Sequence, residues 1–272
     1  MRLLRESPLV ELMARADAFR RRLHPGKEVT FVIDTNPNYT NVCVTKCTFC
    51  SFYRKPGETG GYTLAPEAVA EKVARAQGLG ATTVLLQGGH HPDLAFDYYL
   101  ALIHAIQAAA PGIHLHLFSP AEIDHIAQTS GKSWCDVLEA FWDLGVRTMP
   151  GGGAEILVDR VRRQISPKKI SAQTWLDVMR AAHEVGMQTS ATMTYGHVET
   201  DEDIVDHLLR LRDLQDETGG FYAFIPWSYK PGAAPLSRRV PEAMPASYYA
   251  RIIALSRLML DNFPHIQASW FG

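Results

Sequence analysis

The sequence predicts an α/β fold in which strand–helix units repeat and their parallel strands curl into a TIM-like (βα) barrel. Three observations carry this. Short β-branched runs alternate with longer segments of helical periodicity, the pattern of βαβ units. The chain has 272 residues, close to the roughly 250 of a one-domain barrel of this type. Its polar and glycine-rich stretches follow the runs at their C-terminal ends, where barrel enzymes place their active sites.

The elements can be read in order. Within residues 1 to 28, Leu9, Leu12, Met13, Ala16, Phe19 and Leu23 recur at helical spacing, which predicts an amphipathic helix capping one end of a single domain spanning 29 to 272. Glu6, Glu11 and Asp17 stand among its arginines, and the absence of a continuous apolar stretch argues against an export signal. Seven strands are expected, at 29 to 34, 82 to 87, 113 to 118, 146 to 149, 188 to 195, 221 to 227 and 266 to 271. A helix over 65 to 77 has Pro66 in its first turn and stops before Gly78 and Gly80, as proline and glycine preferences require. A second, over 171 to 185, closes at Gly186, and a third, over 200 to 216, opens with an acidic turn and closes at Gly219-Gly220. A closed barrel has eight parallel strands, so an eighth is expected to be missing from this chain.

Composition narrows the function classes. With 46% hydrophobic residues, 21% charged residues and a net charge of -2, the chain reads as a soluble globular protein with no polyanion partner, hence no nucleic acid. No run reaches the roughly 18 apolar residues of a membrane span. A cytoplasmic location follows as the expectation, and there cysteines stay reduced.

Three of the four cysteines, Cys43, Cys47 and Cys50, fall within eight residues after the first strand. Such a group points to metal or redox chemistry. A structural zinc site needs four ligands, and the fourth cysteine, Cys135, lies far along the chain in a helical pattern. Three thiolates instead suit an iron–sulfur cluster with one iron left open for a small molecule. A non-catalytic, zinc-stabilised barrel that binds an aromatic ligand is the competing reading.

The three-plus-two cysteine spacing, with Phe49 before the last cysteine, resembles the radical S-adenosylmethionine superfamily. Together, "NYTNVC", "LLQGGHHPD", "PGGGAEILVDRVRRQISPKKIS", "GHVET", "LLRLRDLQDETGGF" and "FIPW" resemble its cyclic dehypoxanthinyl futalosine synthases over about residues 29 to 272. Thr35, Pro37 and "WSYKP" depart from that family's usual pattern. The aminofutalosine synthases and the synthases of deazaflavin cofactors share the cysteine motif and stand as alternatives.

The resemblance implies a radical SAM barrel in which Cys43, Cys47 and Cys50 hold a 4Fe-4S cluster. S-adenosyl-L-methionine would bind its open iron, lined by Phe49, Gln87, Gly88, Gly89, Ser119 and Glu155. Relatives place an arginine in the next helix, near Trp175 here, and Lys168 and Lys169 are its candidate replacements. His90, Trp227, Tyr229 and Lys230 are the expected substrate contacts, since an aromatic carboxylate wants flat apolar walls and one cation. His197 and Glu199, at a strand end, are the first candidates for a base. The implied reaction takes a hydrogen from the ribose C4′ of dehypoxanthinyl futalosine and adds the resulting radical to its benzoate ring, in menaquinone biosynthesis. An electron donor such as flavodoxin or ferredoxin is implied with it.

Overall fold

The structure, a computed structural model, describes residues 1–269. Among these residues seven strands form one sheet in chain order, each parallel to the next. They are β1 Asp34–Thr35, β2 Thr83–Leu86, β3 His114–Leu117, β4 Thr148–Met149, β5 Gln188–Tyr195, β6 Phe221–Ser228 and β7 His265–Ile266. Two helices precede the sheet, α1 Arg2–Arg5 and α2 Leu9–Leu23. The others are α3 Pro66–Gly78, α4 Phe96–Ala109, α5 Pro120–Ser130, α6 Trp134–Asp143, α7 Asp159–Ile165, α8 Ala172–Val185, α9 Asp201–Thr218 and α10 Ala246–Met259.

The sheet is curled. β3 and β6 stand three strands apart, a separation of about 14 Å in a flat sheet, yet Tyr222 Oη lies 3.4 Å from His116 Nε2. Side chains on the concave face therefore meet across a lumen. The two-residue period of a strand divides the faces: on β5, Ala191, Met193 and Tyr195 are fully buried, whereas the alternate Thr192 and Thr194 are half-buried. Phe224 of β6 meets His207 of α9 and Phe263 on the outer side. α2 lies along α10, where Leu12 and Ala16 pack with Ala254 in a cluster of their own. Among the described residues no helix is long and apolar enough to cross a membrane.

Helix ends follow their local signals. Ser171 and Thr200 cap α8 and α9 by accepting from the Thr174 and Asp203 N–H groups, and Gly186 and Gly219 close them at φ 100° and 64°. The first strand is a correction to the sequence reading. Val29, Phe31, Val32 and Ile33 are exposed, and pairing begins only at the Ile33 carbonyl, which accepts from the Thr82 and Thr83 N–H groups. β-branched residues favour extended chain, but a ladder needs partners, and β1 is an edge strand. The last expected strand is also shorter, and its positions 270 and 271 lie outside the described residues.

Two buried imidazoles, His116 and His207, and the half-buried His183 make the fold acid-sensitive. Burial lowers His116 and His207 to about 3 and His183 to about 4, from an ordinary 6.5. Below that ordinary value the unfolded chain takes up these protons while the native protein does not. The stability from neutral burial is thus fully present above 6.5 and is lost as pH falls toward 3. Urea unfolding midpoints are expected to fall steadily between about pH 6.5 and pH 4. A midpoint that stays flat over that range would contradict neutral burial.

Candidate functional site

Cys43 and Cys47 are buried and Cys50 is half-buried. The Thr45 hydroxyl lies 3.0 Å from Cys43 Sγ and 3.4 Å from Cys47 Sγ, so two thiols flank one hydroxyl. The loop turns through Lys46 at φ 53°, a left-handed conformation that costs a non-glycine residue roughly 1–2 kcal/mol. Its neighbours hold it there. Cys43 N–H donates to Arg54 O, Val44 N–H to His90 O, and Thr48 N–H to Ile165 O, while Leu236 N–H donates to Thr48 O. Cys135 is exposed on α6 and takes no part.

The loop after β2 lies directly against the cysteine segment. A Cβ on Gly88 would stand 2.5 Å from the Tyr39 ring, and one on Gly89 would overlap the Val42 carbonyl. Glycine is therefore demanded here by close approach of protein to protein. The Gln87 carbonyl accepts from Asn38 Nδ2 at 2.7 Å.

Glu122, which sequence reasoning missed, joins these pieces. Its Oε1 accepts from Tyr39 Oη at 2.8 Å and from Gly88 N–H at 2.9 Å. Its Oε2 accepts from the Ser119 hydroxyl at 2.7 Å and from Ser119 N–H at 2.8 Å. Four donors satisfy a carboxylate that is 3% exposed, and burial still outweighs them to raise its pKa. The signal was present as Ser119-x-x-Glu122, a capping box at the start of α5. What no capping rule contains is the reach to Tyr39 and Gly88.

Across the site, Glu155 sits in left-handed conformation at φ 42° and is 3% exposed. Its Oε1 accepts from Lys169 Nζ at 2.7 Å, whereas its Oε2 is buried with no hydrogen-bond partner. Lys169, one of the two expected stand-ins, also lies over the Phe49 ring, 5.6 Å from its centroid. Buried Arg162 donates to the Ala154 and Ile170 carbonyls and so clamps the segment between them. Burial would raise Glu155, but Lys169 and Arg162 outweigh it and hold the carboxyl below its ordinary value. Burial would lower Lys169, but Cys47 and Glu155 outweigh it and hold the ammonium charged. Burial pushes the Cys47 thiol up against the pull of Lys169. Trp175 is fully buried, with Nε1 donating to Gly152 O at 3.2 Å.

The expected base and substrate residues stand further along the rim. His197 Nε2 donates to Thr194 O at 2.8 Å, and its Nδ1 lies 2.7 Å from Val198 N. Glu199 accepts from the Gly196 and His197 N–H groups, and lies 2.8 Å from His197 Nδ1. Both side chains are thus committed to the turn after β5. Burial would raise Glu199, but the His197 ring and these N–H groups outweigh it and hold it below its ordinary value. Tyr229 is buried, with its hydroxyl 2.9 Å from Ser237 Oγ, Trp227 pairs in register with Thr194, and Lys230 is exposed. His90 is buried, its ring 5.0 Å from that of His125.

These residues fit the groups that the sequence implies. Three thiols, with half-buried Lys169 and buried Arg162 close to Cys47, can hold an anionic cluster whose charge is offset locally. The partnerless Glu155 Oε2 is a buried acceptor, and a ribose hydroxyl supplies the donor it lacks. Among the described residues no three Cys, His, Asp or Glu side chains converge as ligands of a single ion; a cluster offers each thiolate its own iron and requires no such point.

The chain matches the Radical SAM superfamily over residues 37–211 and the CofH/MqnC C-terminal region over residues 218–272. It is 43% identical over 268 residues to the cyclic dehypoxanthine futalosine synthase of Halalkalibacterium halodurans, covering 98% of this chain and 72% of that protein. It is 42% identical over 248 residues to the 5-amino-6-(D-ribitylamino)uracil–L-tyrosine 4-hydroxyphenyl transferase of Methanopyrus kandleri, covering 90% of this chain and 67% of that one. The FeFe-hydrogenase maturase HydG of Carboxydothermus hydrogenoformans shares the fold, with a TM-score of 0.74 at 18% identity; 98% of this chain is covered and it spans 60% of HydG.

Proposed function

The chain belongs to the radical SAM superfamily, and from that membership we propose that it is a cyclase converting dehypoxanthinyl futalosine into its cyclic form by joining the ribose C4′ to the benzoate ring. Enzymes of the superfamily use a 4Fe-4S cluster and S-adenosyl-L-methionine, which together supply a 5′-deoxyadenosyl radical.

Cys43, Cys47 and Cys50 would hold the cluster, with Lys169 and Arg162 offsetting its charge. Glu155 would take a ribose hydroxyl of S-adenosylmethionine on its free Oε2, held in place through Oε1 by Lys169. Phe49, under the Lys169 ammonium, offers a flat face to the adenine. The concave face of the curled sheet would exclude water from the carbon to be activated. Flavodoxin or ferredoxin is the proposed electron donor.

One observation carries the cyclase reading. Residues 151 to 171, where the resemblance to the cyclases is most specific, build one wall of the site through Gly152, Glu155, Arg162 and Lys169. The similarity to the Methanopyrus kandleri transferase, at nearly the same identity, supports a second reading: coupling of tyrosine to a ribityl-bearing pyrimidine. Anaerobic incubation of the cluster-loaded protein with reductant, S-adenosylmethionine and each substrate set, followed by mass spectrometry, separates the two. Cyclic product and 5′-deoxyadenosine are expected from dehypoxanthinyl futalosine. If 5′-deoxyadenosine forms and the futalosine derivative is returned unchanged, the cyclase reading is wrong.

A further inference from the structure

The carboxylate of Glu122 holds more than the start of its own helix. β2 and β3 end at Leu86 and Leu117, and the first peptide beyond each strand turns its N–H to this one side chain. Oε1 accepts from Gly88 N–H at 2.9 Å and Oε2 accepts from Ser119 N–H at 2.8 Å. Among the described residues neither N–H has another acceptor.

Neither peptide is held by local preference. Gly88, without a β-carbon, lets the first rotate with little steric penalty. Phe118 leads into the second at φ 55°, a left-handed conformation that a residue with a β-carbon keeps only when its surroundings impose it. The carbonyl side of the first peptide is pinned, because Gln87 O accepts from Asn38 Nδ2 at 2.7 Å. Further along, Gly89 N–H donates to Thr40 O at 2.8 Å and Val44 N–H donates to His90 O at 3.1 Å. Backbone bonds thus fix the turn to the cysteine segment from Gly89 onward, whereas the Gly88 and Ser119 N–H groups depend on Glu122. That side chain is 3% exposed and comes from α5, outside both turns.

The two turns carry Gln87, Gly88, Gly89 and Ser119, where S-adenosylmethionine is expected against the cysteine loop. A site binds more tightly when its groups are set before the ligand arrives. We propose that Glu122 is a positioning residue for S-adenosylmethionine: its carboxylate fixes the peptides after β2 and β3 in the orientation that the ligand meets, without touching the ligand. The inference rests on the function proposed above only for the place of S-adenosylmethionine, and not on the choice of second substrate.

The test is Glu122→Gln in the cluster-loaded protein. The amide keeps the size of the side chain but exchanges one acceptor oxygen for a donor, so one of the two peptide N–H groups faces N–H instead of oxygen. Iron content and cooperative unfolding are expected to be retained. Kd for S-adenosylmethionine, measured by equilibrium dialysis, is expected to rise about tenfold, the scale of one lost hydrogen bond. The change that S-adenosylmethionine induces in the EPR spectrum of the reduced cluster should require correspondingly more ligand. Tyr39→Phe removes a different donor to Oε1 and leaves both peptides held, so its Kd should stay within about twofold of wild type. An unchanged Kd in Glu122→Gln, or equal weakening in the two variants, overturns the inference. So does loss of iron or of cooperative unfolding in Glu122→Gln, which would make the residue a support of the fold alone. In the wild type, S-adenosylmethionine should slow amide exchange in residues 87–91 and 118–122, and exchange there that ignores the ligand overturns the inference without any variant. None of these measurements contains dehypoxanthinyl futalosine, so failure of the cyclase reading leaves them standing.

Discussion

Lys169→Met is expected to remove about 3–5 kcal/mol of stability at neutral pH, the range for stranding one member of a buried ion pair. Lys169 and Glu155 are joined at 2.7 Å, with side-chain exposures of 13% and 3%, so neither charge is relieved by solvent. Without the ammonium, Glu155 keeps a desolvated carboxylate at a backbone conformation that is already strained. Burial then dominates its titration and raises its pKa, so the deficit should shrink as pH falls below neutral and the carboxyl takes a proton. A Glu155→Gln, Lys169→Met double variant should recover most of the loss, since no uncompensated charge remains. Urea unfolding of the four proteins in the cycle measures this. Additive losses, or a single-variant cost below about 1 kcal/mol, would place the pair in solvent-like surroundings.

Gly89→Ala should detach the cysteine loop while leaving the barrel folded. The added methyl would overlap the Val42 carbonyl and stand 3.1 Å from Cys43 Cβ. Backbone blocks the first direction, so the loop must move, at about 1–3 kcal/mol for overpacking. Iron and sulfide retained after anaerobic reconstitution are expected to fall well below the wild-type content, with cooperative unfolding preserved. Gly78→Ala is the matched control, because a methyl on this last residue of α3 meets nothing within 4 Å. Normal iron content in Gly89→Ala would show that the loop does not rest on Gly89.

Much of the candidate site's placement was legible in the chain itself. The cysteine spacing, the glycines after β2, and Ser119 and Glu155 at the ends of β3 and β4 were all expected near one another, and contacts through Gly89, Glu122 and Lys169 join them. Lys169 was named only as one of two stand-ins, and the ion pair distinguishes it from Lys168. His197 and Glu199 were selected for their position at a strand end, but position does not report hydrogen-bond commitments, and both are bonded within their own turn.

What the sequence by itself determined is what acts over a few residues. Strand–helix alternation, the caps at Ser171 and Thr200, the glycine stops at Gly186 and Gly219, and the cluster motif each depend on spacing within one segment. Tertiary structure alone decided where the first strand begins, which lysine meets Glu155, and that Glu122 reaches Tyr39, 83 positions away. It also brought Tyr222 to His116 across 106 positions. The reason is physical: a cap or a turn is satisfied by atoms its own segment supplies, whereas a buried charge or lone pair takes its partner from whatever strand the curl of the sheet brings opposite.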